Sequence, residues 1–377
     1  MAEAPVVECA LREVAYRPHR AERTVTVRCA VVADGGSAEG YGTADTERLA
    51  RLKAFSEAVE RLLACTPFAL VARPSTTRAT GRDAEDGVRA VPAGARLRRY
   101  RPLGPGPEWA APLSWSAPWV AGVELAEGVL PPAAARLSST IGWAVAPTGE
   151  AALRGAVLEL TELLDYGAFL LRSLDGPASG DSTNEGSDAP EDSGPRIVPI
   201  AHVGRTPVAL AVSPRAGRLM PATGLGAAAT SAEAAERALL ELAQAETMWR
   251  DNPTAVEAER HFLRRFERWP LLLRCATLDF APVGAAADGP PSSPLAELVA
   301  AGVRVWADTG VLRVSAPGTA PVRLHFAHVL SRPQPLLGLV RAGIPVFDAG
   351  EVRKILDHRA PGAGPAGRRP ARRGAAR

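Results

Sequence analysis

The side chains in this sequence best suited to chemistry are acidic, and they recur as pairs three residues apart. Glu57 and Glu60 stand in SEAVER, Glu159 and Glu162 in LELTELLD, and Glu241 with the amide Gln244 in LLELAQAE. Each pair follows a glycine, Gly40, Gly142 or Gly224, at offsets of seventeen and twenty. The agreement extends between those points without an insertion: Thr46, Thr148 and Thr230 at offset six, Ala50, Ala152 and Ala234 at ten, Ala54, Ala156 and Ala238 at fourteen. One E-x-x-E pair on an alanine-rich helix is ordinarily a solvated face with neighbouring turns in contact. Three copies in one register are hard to obtain from composition.

Five carboxylates near one another repel, and an unpaired charge held inside a protein costs several kcal/mol, on the order of a whole domain's margin. They therefore call for cations. Oxygen donors without His or Cys suit a hard ion, and Mg²⁺, which sheds water reluctantly, is commonly shared between carboxylates and phosphates. The chemistry suggested is Mg²⁺-assisted nucleotide binding. It cannot use a Walker loop, because the only lysines, Lys53 and Lys354, lie outside any GxxxxGK[ST] setting, and a GxGxxG followed by a ribose-binding acid is absent as well.

The elements that must position these acids can be read from one copy. Gly-x-small allows a close turn, the threonine is placed to cap a helix, and a helix of about four turns follows. At 100° per residue the two alanines and the first acid fall within about 60° of one another, with the second acid at the edge of that stripe. A surface of small side chains leads up to a carboxylate held near the packed side. The spacing thus predicts that the acidic ends of three helices meet around one pocket.

The remainder reads as a mixed α/β (α+β) protein. Strands are predicted near 24–33 (TVTVRCAVVA), within 196–213 (RIVPIAHVG and PVALAVSP) and near 270–282 (PLLLRCATLDFAP), with helices over 247–268 broken near Pro253. GVRVWADTG, VLRVSAP and VRLHFAHVL are strand-like, which sends His325 and His328 to opposite faces and makes them a poor metal pair. One domain is expected over 1–359. Within it, residues 174–195 carry six acids, no base and almost no apolar side chain, and are expected to be disordered. Residues 360–377, rich in Arg, Pro and Gly, are expected to be a solvated tail instead of a nucleic-acid contact.

A hydrophobic content of 46% and 377 residues suffice for a sizeable core. No run approaches the 18 or more apolar residues of a membrane span, and the first residues lack the basic and apolar regions of an export signal, so a cytoplasmic protein without a membrane partner is expected. Cys9, Cys29, Cys65 and Cys275 are too scattered for a zinc site or a disulfide framework and are expected to be buried or half-buried thiols.

SEAVER (56–61), SSTIGWAVAPTGEAALRGAVLELTELLD (138–165) and ALLELAQAE (238–246) resemble, in order, the three nucleotide-binding segments of YcaO-domain proteins. The resemblance implies a YcaO-like fold with three turn-helix units on β-sheet around a nucleotide site. It implies ATP and Mg²⁺ as cofactors and a ribosomally made precursor peptide as substrate. Glu57, Glu60, Glu159, Glu162, Glu241 and Gln244 would hold Mg²⁺ and the phosphates, with Arg61 on phosphate and Ser139 on phosphate or ribose, against ordinary roles for Arg61 at a helix C-terminus and for Ser139 in a turn. In that family a nucleophile attacks a backbone amide and the oxyanion takes the γ-phosphoryl group. A Cys, Ser or Thr of the substrate then gives an azoline, sulfide a thioamide, an amine an amidine. The nucleophile is the substrate's, so no protein nucleophile is expected.

Three departures bear on this reading. Leu163, Leu164 and Asp165 follow Glu162 where the family commonly has Arg-Asp, Glu246 follows Gln244 where an arginine is common, and the sequence ends RRGAAR where azole-forming members often have PxPxP. Cyclodehydration to an azoline stands first and thioamide or macroamidine formation second. The rival from another class is a non-catalytic YcaO-like scaffold for the peptide or a partner enzyme, and a third reading makes the repeats mere packing helices of an unrelated α/β protein. A separate partner protein or a second copy of the chain are the further partners considered.

Overall fold

A meander of three strands opens the chain: β1 (Val6–Arg20), β2 (Val25–Ala33) and β3 (Gly36–Ala44). The computed structural model describes residues 6–335 apart from residue 22 and the stretches 75–76, 81–90, 175–193, 214–217, 268–269, 280–283 and 288–292. Alternation in β2 sends Val27, Cys29, Val31 and Ala33 to one buried face. Helix α1 (Glu47–Cys65) lies across that face with Ala50, Ala54 and Ala58 innermost. The next elements are α2 (Phe68–Ala72), β4 (Thr77–Arg78), β5 (Arg96–Pro102), β6 (Trp109–Pro112), α3 (Pro118–Ala126) and α4 (Pro132–Ala135).

The second unit is β7 (Trp143–Ala146) with α5 (Gly149–Leu174), followed by β8 (Arg196–Pro199) and β9 (Val208–Val212). The third is β10 (Thr223–Ala227) with α6 (Ser231–Asp251). Helices α7 (Ala255–Phe266), α8 (Pro270–Thr277) and α9 (Pro294–Ala300) lead to the closing strands β11 (Arg304–Ser315) and β12 (Val322–Arg332). The main sheet runs β3-β2-β1-β11-β12-β7, with β5 also pairing β11 and carrying β4 and β6. Its β1–β11 pairing over Val6–Ala10 is parallel, and from Leu11 onward β1 turns to pair antiparallel with β2. A smaller antiparallel sheet runs β10-β9-β8. This is a mixed α+β fold, and its described residues fall in one compact unit, Met1–Val346.

The glycines of the repeat let strand and helix backbones touch. A Cβ on Gly40 would lie 2.2 Å from the Ala58 nitrogen and 2.4 Å from the Ala54 oxygen, and one on Gly224 would lie 2.1 Å from the Ala238 oxygen. Gly142 serves differently: its φ is +80° and a Cβ there would press within 2.5 Å of the Val329 oxygen on β12. All three threonines cap their helices, accepting from the amides of Leu49 (3.4 Å), Ala151 (3.2 Å) and Glu233 (3.2 Å).

Strands form where expected near 24–33 and within 196–213, and the helices over 247–268 break between Asp251 and Ala255. The strand expected near 270–282 is instead α8 over Pro270–Thr277. A short apolar run does not declare its period; Leu272, Cys275 and Ala276 are the buried positions, which is a helical face. Cys65 departs as well: it is exposed on the last turn of α1, whereas Cys9, Cys29 and Cys275 are buried. His328 is buried and His325 half-buried on β12. The proposed acidic insert lies outside the described residues but for its ends, and the proposed tail lies wholly outside them. Among the described residues no helix is long and apolar enough to cross a membrane.

Candidate functional site

Helix and strand are joined within each unit and also from one unit to the next. Within the first unit Glu57 Oε2 accepts the Tyr41 N–H of β3 at 2.9 Å, and within the second Glu159 Oε2 accepts the Gly142 N–H just before β7 at 3.0 Å. The acid three residues on reaches across. Glu60 Oε1 accepts the Val145 N–H of β7 at 2.9 Å, and Glu162 Oε1 accepts the Ala227 N–H of β10 at 2.7 Å. Val145 and Ala227 occupy the same place in their units, three residues after the glycine. At the third junction Gln244 Nε2 donates to Glu57 Oε2 at 3.5 Å. Accordingly α1 packs on β7, α5 on β10 and α6 on β3, so the three units close into a ring.

The ring brings the acids into one another's fields. Glu60 is pushed up to about 8 by burial and then by Glu57, with Glu241 adding to it. Burial first, then Glu60 and Glu162, raise Glu159 well above the ordinary range. Burial lifts Glu162 to about 7, and burial with Glu162 and Glu57 lifts Glu241 to about 7. Glu241 is nonetheless exposed to solvent and the other four acids are only half-buried.

The remaining expected residues are placed as follows. Arg61, half-buried, bridges Glu57 (Nη2 to Oε1, 3.3 Å) and the Thr140 hydroxyl (Nη1, 2.6 Å), tying α1 to the turn before β7. In that turn the buried Ser139 hydroxyl accepts the Ile141 N–H at 3.4 Å, and the Ser139 amide donates to the Trp115 carbonyl at 3.2 Å, which is a turn role. Asp165, one turn past Glu162, is fully buried and accepts the amides of His202 (2.8 Å) and Val203 (2.5 Å), so it holds a loop.

Two cations were not singled out by the acid spacing. Lys53 Nζ donates to the Thr43 carbonyl at 2.9 Å and Arg237 Nη1 to the Ala227 carbonyl at 3.2 Å. Both are charge neighbours of Glu241. Each lies thirteen residues after its glycine, a signal present in the repeat but broken in the second unit, where the position is Gly155.

Among the described residues no three Asp, Glu, His or Cys side chains form a ready-made metal cage. Mg²⁺ takes one or two protein carboxylates and fills its octahedron with water and phosphate oxygens. Glu60, Glu159 and Glu162 each have one oxygen fixed by a backbone amide, which leaves the other to bind. The donor set fits a metal–polyphosphate ligand.

No protein-family model and no curated protein matches the sequence. Solved structures do. The fold is similar to that of YcaO from Methanopyrus kandleri, a structure bound with AMPPCP and Mg²⁺, with a TM-score of 0.59 and 18% identity over 89% of this chain and 90% of that one. It is also similar to a chain of the E. coli microcin synthetase McbBCD complex with pro-MccB17 bound, with a TM-score of 0.54 and 12% identity over 85% of this chain and 87% of that one. At such identities the likeness is one of fold: the chain has the YcaO fold.

Proposed function

We propose that this YcaO-fold chain is an ATP- and Mg²⁺-dependent enzyme that modifies backbone amides of a ribosomally made precursor peptide, foremost by cyclodehydrating Cys, or Ser or Thr, to an azoline. The observation that carries the reading is the ring itself, in which Glu57, Glu60, Glu159, Glu162 and Glu241 from three helices repel one another. Similarity of fold to a YcaO bound with AMPPCP and Mg²⁺, and to a microcin synthetase complex with pro-MccB17 bound, supports it.

In this reading the five glutamates and Gln244 hold Mg²⁺ and phosphate oxygens, and Arg61 meets phosphate. ATP, when bound, supplies the phosphoryl group that makes an amide oxygen a leaving group. The chain's own part is to fix oxygens in place: the amides of Tyr41, Gly142, Val145 and Ala227 orient the carboxylates before any ligand arrives. No protein nucleophile is required, since the peptide brings its own.

The test is thermal melting with Mg²⁺ alone and with Mg²⁺ plus ATP, followed by mass spectrometry of a candidate precursor peptide. Saturating ligand should stabilise the chain by about 3–4 kcal/mol at 100–1,000 times its Kd, and the peptide should lose water only when ATP is present. Absence of any ATP-dependent shift would refute the enzyme.

A further inference from the structure

The ring contains cations in a pattern the acid positions do not explain. Lys53 and Arg237 occupy the same offset in the first and third units, and each bonds the carbonyl three residues after its own glycine, Thr43 or Ala227. Ala227 is also the residue whose N–H is taken by Glu162, so Arg237 sits where α5 meets β10. By the same register Lys53 sits where α6 meets β3. The second unit has no such cation and no room for one. Ala144 there replaces the glycine found at Gly42 and Gly226, and a Cβ on Gly155 would already come within 3.1 Å of the Ala144 Cβ. In the other two units the missing Cβ makes space for the stem: a Cβ on Gly42 would be 2.6 Å from that of Lys53, and one on Gly226 would be 2.7 Å from that of Arg237.

Charge is therefore distributed unevenly around the ring. Glu60 and Glu159 have Arg61 as their cationic neighbour, whereas Glu241 has both Lys53 and Arg237. Lys53 and Arg237 also lie in each other's field. Two cations in each other's field oppose each other as the acids do, and an anion that reaches both relieves both, adding to the acids Glu241, Asp45 and Glu236 already near Lys53. Their carbonyl bonds use one of three donors on Lys53 and one of five on Arg237, so most of their donors remain for oxygen ligands. Both side chains are exposed, hence within reach of a ligand from solvent.

Building on the function proposed above, we infer that Lys53 and Arg237 form a phosphate clamp at the Glu241 side of the ring, which binds the polyphosphate oxygens directly.

The test is isothermal titration of the full chain and its Lys53→Ala, Arg237→Ala and Lys53→Arg variants with Mg²⁺ alone, inorganic triphosphate, Mg-ATP and adenosine, with melting curves confirming that each is folded. Either alanine variant should weaken triphosphate and Mg-ATP about tenfold or more, the loss of a charge-assisted hydrogen bond. Adenosine binding should not change, Mg²⁺ alone should bind as well or better, and Lys53→Arg should restore most of the triphosphate affinity. Triphosphate and Mg-ATP affinities within twofold of the parent in both alanine variants would overturn the clamp and show the cations to be counter-ions of Glu241 only. If the parent binds triphosphate through the pair but does not bind ATP, the clamp stands and the ATP-dependent enzyme falls. If the parent binds neither, both fall.

Discussion

Two charged clusters among the described residues of this protein are built in opposite ways. Behind the ring, Arg73 is fully buried and bonds Asp308 through Nε (2.7 Å), Ser116 through Nη1 (2.9 Å) and Tyr100 through Nη2 (2.6 Å), while its guanidinium stacks 4.6 Å from the Trp143 ring centroid. Arg98 holds Asp308 with two further bonds, at 3.0 and 3.1 Å. Tyr100 passes on to His328 Nδ1 at 2.8 Å, and His328 Nε2 meets the Ile141 carbonyl at 3.1 Å, next to the turn that receives Glu159. Every guanidinium nitrogen of Arg73 has a partner there. The ring is the opposite case, with five carboxylates facing three cations. A closed network secures the fold, whereas an open one keeps its field for a ligand.

Removing one acid from the ring separates the two cases most sharply. Glu159→Gln should reduce peptide-dependent ADP release below detection, at least about a thousandfold if metal-centred charge stabilisation is lost. The metal-free variant should melt at the parent's temperature or higher, because the amide carries no charge for burial or for Glu60 and Glu162 to oppose. Unchanged turnover would place the chemistry elsewhere.

The same kind of change in the network should act the other way. Asp308→Ala leaves Arg73 and Arg98 without their carboxylate and should cost about 3–5 kcal/mol in urea unfolding. A loss below about 1 kcal/mol would mean that Tyr100 and Ser116 suffice.

The pH dependence of the metal-free chain separates the two regions again. Glu60, Glu162 and Glu241 have folded values near 8, 7 and 7, raised from about 4.5 mainly by burial. The stability associated with their protonated forms is fully present below the unfolded carboxylate range and is lost as pH rises through 7 and 8. Between the unfolded carboxylate range and those values the slope should reach about 1.4 kcal/mol per pH unit for Glu60 and for Glu162, and less for Glu241, which solvent screens. Denaturation with a chelator present should show this fall, and Mg²⁺ with ATP should flatten it. Burial and Arg73 lower His328, so the network should contribute a slope of the opposite sign below about 6.5, where only the unfolded imidazole takes a proton, and none above it.

Much of this was legible beforehand because it is local. Threonine caps, alanine stripes and the acids at offsets seventeen and twenty depend on neighbours along one helix, and Thr46, Thr148 and Thr230 cap as read. The segment Pro270–Thr277 is not legible in this way, because a short apolar run fits either period until its burial is known. Lys53 and Arg237 are not marked by the repeat because Gly155 interrupts their register, and because what surrounds them, a strand carbonyl and for Lys53 an acid of another helix, is set by packing.

By itself the sequence determined the three units: glycine for contact, threonine for the start, alanine for a close face and an acid at its end, all set by backbone sterics and helical geometry within about twenty-five residues. Only the tertiary structure decided that Glu60 meets Val145, Glu162 meets Ala227 and Gln244 meets Glu57. Those meetings join residues 65 to 187 positions apart. Which strand follows which helix in space is fixed by the order of β3, β7 and β10 in the two sheets, and no local preference of the chain encodes that order.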